Sequence, residues 1–223
     1  MDIRIDRIRV GITNSYLLRG RAAVLIDPGE PGRGPAVLRR LARLLGDPAE
    51  IGLIVATHGH YDHIGSAPAV REASGAELAI HTGDAGWARA GDWVPLVPTT
   101  TWGRVMFRLL KPVTRRLQRK NPVEADLVFD DSGLPLEDYG IPARIVPTPG
   151  HTPGSVSVLL ETGDAIVGDL AMSGPPLVLR PSLATVAVDP GQMRVSWLRL
   201  VDLGAKTICP AHGKPFPVTE LRL

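Results

Sequence analysis

One stretch, Thr57-His58-Gly59-His60-Tyr61-Asp62-His63, constrains this chain more than any other. The apolar run Leu53-Ile54-Val55-Ala56 comes directly before it, and a helix start follows. Three of the six histidines and a carboxylate are therefore delivered at the end of a buried strand. In layered α/β folds, strand ends and the loops after them are where sites collect. In an extended loop, residues i and i+2 project to the same side, so His58 and His60 can reach one ion. Asp62 and His63 follow where the loop turns into a helix, so they point elsewhere. One loop can thus serve two neighbouring ions. Neither ion is fully coordinated by it, since Zn²⁺ takes about four ligands.

Completion has to come from far along the chain. His151, Asp169 and His212 each sit at a strand end or in the loop just after it, flanked by Gly150, Gly168, Ala211 and Gly213. Small neighbours allow close backbone approach and leave room for a metal. A lone histidine at a strand end is more often a hydrogen-bonded structural residue than a ligand. Here five of six histidines fall in such settings, three of them in one hexapeptide, and coincidence does not account for that density. His81 has no companion and reads as a packed or orienting residue. Asp27 follows the strand Ala22–Ile26 and reads equally as a turn former or as a carboxylate orienting a ligand imidazole.

Strands are expected over 2–10, 15–18, 22–26, 53–56, 77–80, 127–129, 144–146, 155–160, 165–167 and 207–209, the pair 155–160 and 165–167 forming a hairpin. Helices are expected from Pro35 to Gly46, over 66–74 and over 192–202, the last with Val195, Leu198, Val201 and Trp197 inward. Strands ending in His or Asp in both halves suggest two packed sheets with helices outside, a four-layer αββα sandwich of the α/β class. Spacing alone does not separate this from other α/β arrangements.

From about 82 to 123 the rhythm breaks. This segment reads as a basic, apolar helical insertion within one domain spanning 1–223. Seven cations and no acid lie between Arg104 and Lys120, and Met106, Leu109, Leu110, Val113 and Leu117 share one helical face. Pro112 is expected to kink or split that helix. Three readings stand: a surface helix packing its Leu/Val stripe on the core, a lid over the metal site, or a helix lying on an anionic membrane surface.

The single cysteine, Cys209, excludes an intramolecular disulfide and argues against a thiolate metal cluster. No run of about 18 apolar residues marks a membrane-spanning helix. The start, Met1-Asp2-Ile3-Arg4-Ile5-Asp6, alternates like a strand and not like a signal peptide, so the cytoplasm is the expected compartment. A net charge of +2 gives no expectation of nucleic-acid binding by the chain as a whole.

His58-Gly59-His60-Tyr61-Asp62-His63 resembles the HxHxDH signature of the metallo-β-lactamase superfamily. Thr148-Pro149-Gly150-His151-Thr152-Pro153-Gly154-Ser155 is similar to that superfamily's third motif, especially in its glyoxalase II-like branch. Gly168-Asp169 and Ala211-His212-Gly213 match the fourth and fifth. The resemblance implies that His58, His60 and His151 bind one ion, that Asp62, His63 and His212 bind a second, and that Asp169 bridges both. It implies a binuclear hydrolase in which a water shared by two ions ionises near neutral pH and becomes the nucleophile. Asp62 and Asp169 are the candidate catalytic carboxylates, placed to relay a proton. Nitrogen and oxygen ligands suit Zn²⁺ and also accommodate Fe or Mn. The di-iron redox members resemble HxExD at position 60, so His60 favours hydrolysis.

The expected substrate is a small molecule, acyl or lipid-like: an ester, thioester or lactone. Eleven residues follow His212, short of the extension glyoxalase II uses for glutathione, and Met172 stands where acyl-homoserine lactonases carry tyrosine. The alternatives are a phosphodiesterase and a metal-bearing, membrane-associated binding protein with little turnover.

Overall fold

The computed structural model describes residues 3–175, 177–221 and 223. Asp2, where the first strand was expected to begin, lies outside the described residues. The first half of the chain runs β1 (Arg4–Arg9), β2 (Asn14–Arg19), β3 (Ala23–Ile26), α1 (Gly34–Leu45), β4 (Ile51–Val55), α2 (Tyr61–Ile64), α3 (Ala67–Ser74), β5 (Glu77–His81), α4 (Thr82–Ala90), β6 (Val97–Pro98), α5 (Thr101–Lys120) and β7 (Leu127–Phe129). The second half runs β8 (Ala143–Pro147), β9 (Val156–Leu160), β10 (Asp164–Ile166), β11 (Ala171–Met172), β12 (Ser182–Leu183), β13 (Val186–Ala187), α6 (Pro190–Asp202), β14 (Thr207–Cys209) and β15 (Phe216–Pro217).

Each half builds one sheet, in the order β1-β2-β3-β4-β5-β7 and β15-β14-β10-β9-β8. The strands alternate in the side chains they present to their two faces, and both faces are covered. In β3, Val24 and Ile26 join the layer between the sheets, while Leu25 points to the helices. In β4, Leu53 and Val55 go inward between the sheets and Ile54 goes outward. The inter-sheet layer adds Tyr16, Ile145, Val156, Val158 and Ile166. Outside the first sheet, Val37 and Leu41 of α1 and Val70 of α3 close the core. Outside the second, Met193, Trp197 and Leu200 of α6 do the same. Three apolar layers between four structural layers make the αββα sandwich.

Three sequence expectations fail on these helices. Helix α6 buries Met193, Ser196, Trp197 and Leu200, whereas Val195, Leu198 and Val201 face solvent. Both stripes repeat at helical spacing, so periodicity cannot choose between them. The choice is tertiary: Gly150 abuts the Met193 backbone and fixes which face meets the sheet. Helix α5 runs unbroken through Pro112. The carbonyl left without a donor there lies on an exposed stretch, where water can satisfy it. Nor does α5 pack its Leu/Val stripe on the core: Leu109 is 64% and Val113 56% exposed. Gly103 and Gln118, near its two ends, are its buried residues.

Candidate metal centre

Strands β3 and β4 are parallel, as are β10 and β14, so their carboxyl ends open onto one edge of the sandwich. The loops after β3, β4, β8, β10 and β14 carry Asp27, His58 to His63, His151, Asp169 and His212. The loops are laced together by backbone bonds: Val156 N–H to Thr57 O (2.8 Å), Ala211 N–H to Gly168 O (3.0 Å) and Asn14 N–H to Ala211 O (2.7 Å). Gly168 has φ +51°, and a Cβ there would run into the Thr57 side chain, so the Asp169 loop approaches the histidine loop only with glycine. The backbone is extended at His60 and helical from Tyr61, which turns Asp62 and His63 away from His58 and His60.

All seven sequence-derived ligand candidates come together. Among the described residues, three groups have ligand atoms mutually within 4.8 Å: His58/His60/His151, His58/His63/Asp169 and Asp62/His63/His212. In the first, His60 Nδ1 lies 3.0 Å from His58 Nε2 and 3.1 Å from His151 Nε2. The far side of each ring sets its tautomer. His151 Nδ1–H donates to Val186 O at 2.9 Å. Thr57 Oγ1–H donates to Asp27 at 2.7 Å, so at 3.2 Å from His58 Nδ1 it can only accept. Both Nε2 atoms thus present lone pairs to His60 Nδ1, which can donate to at most one of them. Tetrahedral nitrogen ligands at 2.0–2.1 Å from Zn²⁺ would stand about 3.3 Å apart, close to the spacing found.

The second group is a different kind of site. His63 Nε2 and Asp169 Oδ1 are buried without hydrogen-bond partners. They lie 3.5 Å apart, and His212 Nε2 is 3.3 Å from Asp169 Oδ1 and 3.5 Å from Asp62 Oδ2. Asp169 turns its other oxygen, Oδ2, to His151 Nε2 at 3.5 Å. One carboxylate is therefore divided between the two groups. His212 Nδ1–H donates to Ile12 O at 3.1 Å, leaving Nε2 facing inward.

Charge separates the groups further. Burial, then the neighbouring imidazoles, pushes His58 well below the usual histidine range, and burial and His151 push His60 to about 3. His58 and His60 are thereby held neutral. Burial acts against charge on His63 and His212 too, but Asp27, Asp169 and Asp62 outweigh it for His63, at about 9, and Asp169 and Asp62 for His212, at about 10. Burial opposes ionisation of Asp62 and Asp169, yet His63 and His212 hold both carboxyls below the ordinary range. Protons on His63 and His212 stand where positive charge is required, and a divalent cation supplies the same charge. The donor sets fit two divalent ions.

Asp27 is more than a turn former. It accepts from Thr57 N–H (2.8 Å), Thr57 Oγ1–H and His63 Nδ1–H (2.8 Å), with φ +53°, a rare conformation for a residue with a side chain. His81 caps α4, accepting from Gly83 N–H at 3.2 Å. Two residues escaped sequence reasoning. Asp84, fully buried, accepts from Gly59 N–H (2.9 Å), Thr152 Oγ1–H (2.6 Å), Gly154 N–H (2.7 Å) and Trp87 Nε1–H (3.2 Å), binding the His58–His63 loop to the His151 loop. Gln118 of α5 accepts from Tyr61 N–H at 2.8 Å and donates to Gly59 O at 3.2 Å, gripping the backbone on both sides of His60. An acid in a helix's first turn and a glutamine in a basic helix carry no sequence signal for these tasks.

Residues 8–212 match the model of the metallo-beta-lactamase superfamily. The chain is 26% identical to the probable metallo-hydrolase YflN of Bacillus subtilis, over 98% of its own length and 87% of that protein. It is 34% identical to a hydroxyacylglutathione hydrolase of Anaeromyxobacter dehalogenans, over 74% of its length and 48% of that protein. In fold it is similar to the BLEG-1 B3 metallo-beta-lactamase, with a TM-score of 0.69, 23% identity, and 97% and 95% of the two chains covered. The di-iron-bound form of TTHA1623 gives 0.66 at 22% identity, covering 96% and 95%. The chain belongs to the metallo-beta-lactamase superfamily.

Proposed function

We propose that this metal-dependent hydrolase of the metallo-beta-lactamase superfamily works through a binuclear centre and cleaves an ester, thioester or lactone. His58, His60 and His151 would hold one ion, Asp62, His63 and His212 the other, and Asp169 would serve both. The divided carboxylate carries this reading, with Oδ2 at His151 and Oδ1 at His63 and His212. When bound, two such divalent ions, most simply Zn²⁺, supply Lewis-acid polarisation of an acyl oxygen and activation of water at neutral pH.

The chain's own residues prepare that chemistry. Asp27 keeps a His63 proton on Nδ1, and through Thr57 it keeps the His58 proton on Nδ1, so Nε2 is the ligand atom of each ring: free on His58, and on His63 once its second proton is displaced. Val186 O and Ile12 O do the same for His151 and His212. Asp62 and Asp169, ionised at neutral pH, are the candidate carboxylates to take a proton from the attacking water and hand it to the departing group. Trp87 and Trp93 flank His60, with ring centroids at 5.5 and 5.7 Å, an apolar wall suited to an acyl group. The acylglutathione hydrolase among the relatives supports acyl chemistry.

The test is a hydrolysis panel of aryl esters, an acylglutathione, lactones and a bis-aryl phosphodiester, with elemental analysis on the same sample. About two transition-metal ions per chain and turnover of an acyl substrate are expected. A folded protein that takes up no metal refutes the reading, and preference for the phosphodiester replaces its substrate class.

A further inference from the structure

Helix α5 touches the rest of the molecule mainly at its ends. Gly103 sits against Thr185, and Gln118 grips the His60 loop. Met106, Phe107, Thr114 and Leu117 are half-buried between them. The remaining surface is open and divided lengthwise. At 3.6 residues per turn, Arg104, Arg108, Lys111, Arg115 and Arg119 fall within an arc of about 80°. Leu109, Trp102 and Val113, each about half exposed or more, form the opposite flank of the open surface, about 140° round the helix from the centre of that arc, with the exposed Pro112, Val105 and Arg116 between the two stripes. Among the described residues, none of the seven cations of this helix makes an ion pair. Five of them, Lys111, Arg115, Arg116, Arg119 and Lys120, line an open surface concavity with Pro112.

We propose that this outer face of α5 docks on an anionic lipid bilayer. The cationic half meets lipid phosphates, and Leu109, Val113 and their neighbours reach the acyl boundary. Long basic stems can extend along the apolar surface while their heads stay in the headgroup layer. Charge complementarity selects this occupant. A second copy of the chain would bring seven cations against seven across a two-fold contact. A nucleic acid would answer the cations and leave the apolar half exposed. Among the described residues no helix is long and apolar enough to cross a membrane, so the contact is peripheral. Gln118 ties α5 to the backbone at Gly59 and Tyr61, so docking would hold the His60 loop about one helix diameter, some 10–12 Å, from the lipid surface. An amphiphilic acyl substrate could then reach the centre from the bilayer.

Vesicle flotation of the full chain tests this. Vesicles of phosphatidylcholine alone are compared with vesicles containing about one third phosphatidylglycerol. Binding is expected to the anionic vesicles, with release at about 0.5 M salt. The triple substitution Arg108→Glu, Arg115→Glu and Arg119→Glu should lower partitioning at least about tenfold. Leu109→Ser with Val113→Ser should also lower it, which separates a bilayer from a merely charged surface. Metal content and turnover of a water-soluble aryl ester should be unchanged in both variants. That separates loss of docking from unfolding and from failure of the hydrolase reading. Absence of flotation by the parent protein overturns the proposal, as does undiminished binding by either variant. So does preference for single-stranded RNA over vesicles, or a dimer in solution that the α5 substitutions dissociate.

Discussion

Asp27→Asn tests how the ligand nitrogens are kept available. Asparagine matches aspartate in shape and tolerates the left-handed backbone at φ +53°, so the backbone is not disturbed. Asp27 receives three hydrogens: from Thr57 N, Thr57 Oγ1 and His63 Nδ1, at 2.8, 2.7 and 2.8 Å. An amide offers one oxygen and two hydrogens. If its oxygen faces Thr57 N–H, its NH₂ meets Thr57 Oγ1 and His63 Nδ1. Relief then requires the His63 proton to move to Nε2. It also requires Thr57 to donate to His58 Nδ1, which drives the His58 proton to Nε2. Two ligand electron pairs are lost. If the amide flips, both tautomers survive, but NH₂ meets a buried N–H at a cost of about 1–3 kcal/mol. The cheaper arrangement limits the damage, so metal affinity should fall by no more than about 5- to 150-fold. That range overlaps what loss of a residue orienting a metal ligand typically costs, about 10- to 100-fold. Competition with a chromophoric chelator measures the affinity. Nitrogen-15 NMR of His58, held neutral by burial, reports whether its proton has changed sides. An Asp27→Asn protein with parental stability and parental affinity for both ions would refute the reasoning.

Four other outcomes are expected. Metal binding near neutral pH should release about two protons from His63 (about 9) and His212 (about 10), which are charged beforehand, and none from His58 or His60, which are not; calorimetry in buffers of different ionisation enthalpy counts them. In the metal-free protein these raised values stabilise the fold fully below an unfolded-state pKa of about 6.5, and the benefit is lost as pH rises through 9 and 10. The thermal midpoint of chelated protein should therefore fall between about pH 7 and 10, and a flat profile would contradict this. His60→Ala should abolish turnover with the circular dichroism spectrum retained; surviving activity removes it from the centre. Asp84→Ala strands four donors on two loops and should cost roughly 3 kcal/mol or more in denaturant unfolding.

The clustering of the candidate ligands was legible because coordination demands particular side chains. Only a few residue types bind a divalent ion, and His58, His60, Asp62, His63, His151, Asp169 and His212 stood at strand ends where small neighbours left space. The four layers were suggested by strands ending in His or Asp in both halves, a signal that spacing alone did not separate from other α/β arrangements. What stayed hidden was set by tertiary placement. Asp84 and Gln118 act on backbone amides, a task many polar residues can perform wherever the fold puts them. Either stripe of α6 satisfies helical periodicity, and only Gly150 against Met193 decides between them. The apolar stripe of α5 looked like a core face because periodicity reports that a face exists, not what covers it.

The seam between β2 and the loop after β14 has a kinetic consequence. Asn14 Nδ2–H donates to Pro210 O and Gly213 O at 3.0 and 2.8 Å, and Tyr16 Oη–H donates to Pro210 O at 2.8 Å, across nearly the whole chain. Contacts of such separation close the longest loops and carry the largest closure entropy, so they form late in folding. His212 is set only when that seam shuts, whereas His58, His60 and His151 do not depend on it. On the proposed binuclear reading, the first group would be able to capture an ion in a partly folded chain, and the second would be completed last. On the same reading, local opening of the seam would free the ion proposed at His212 first.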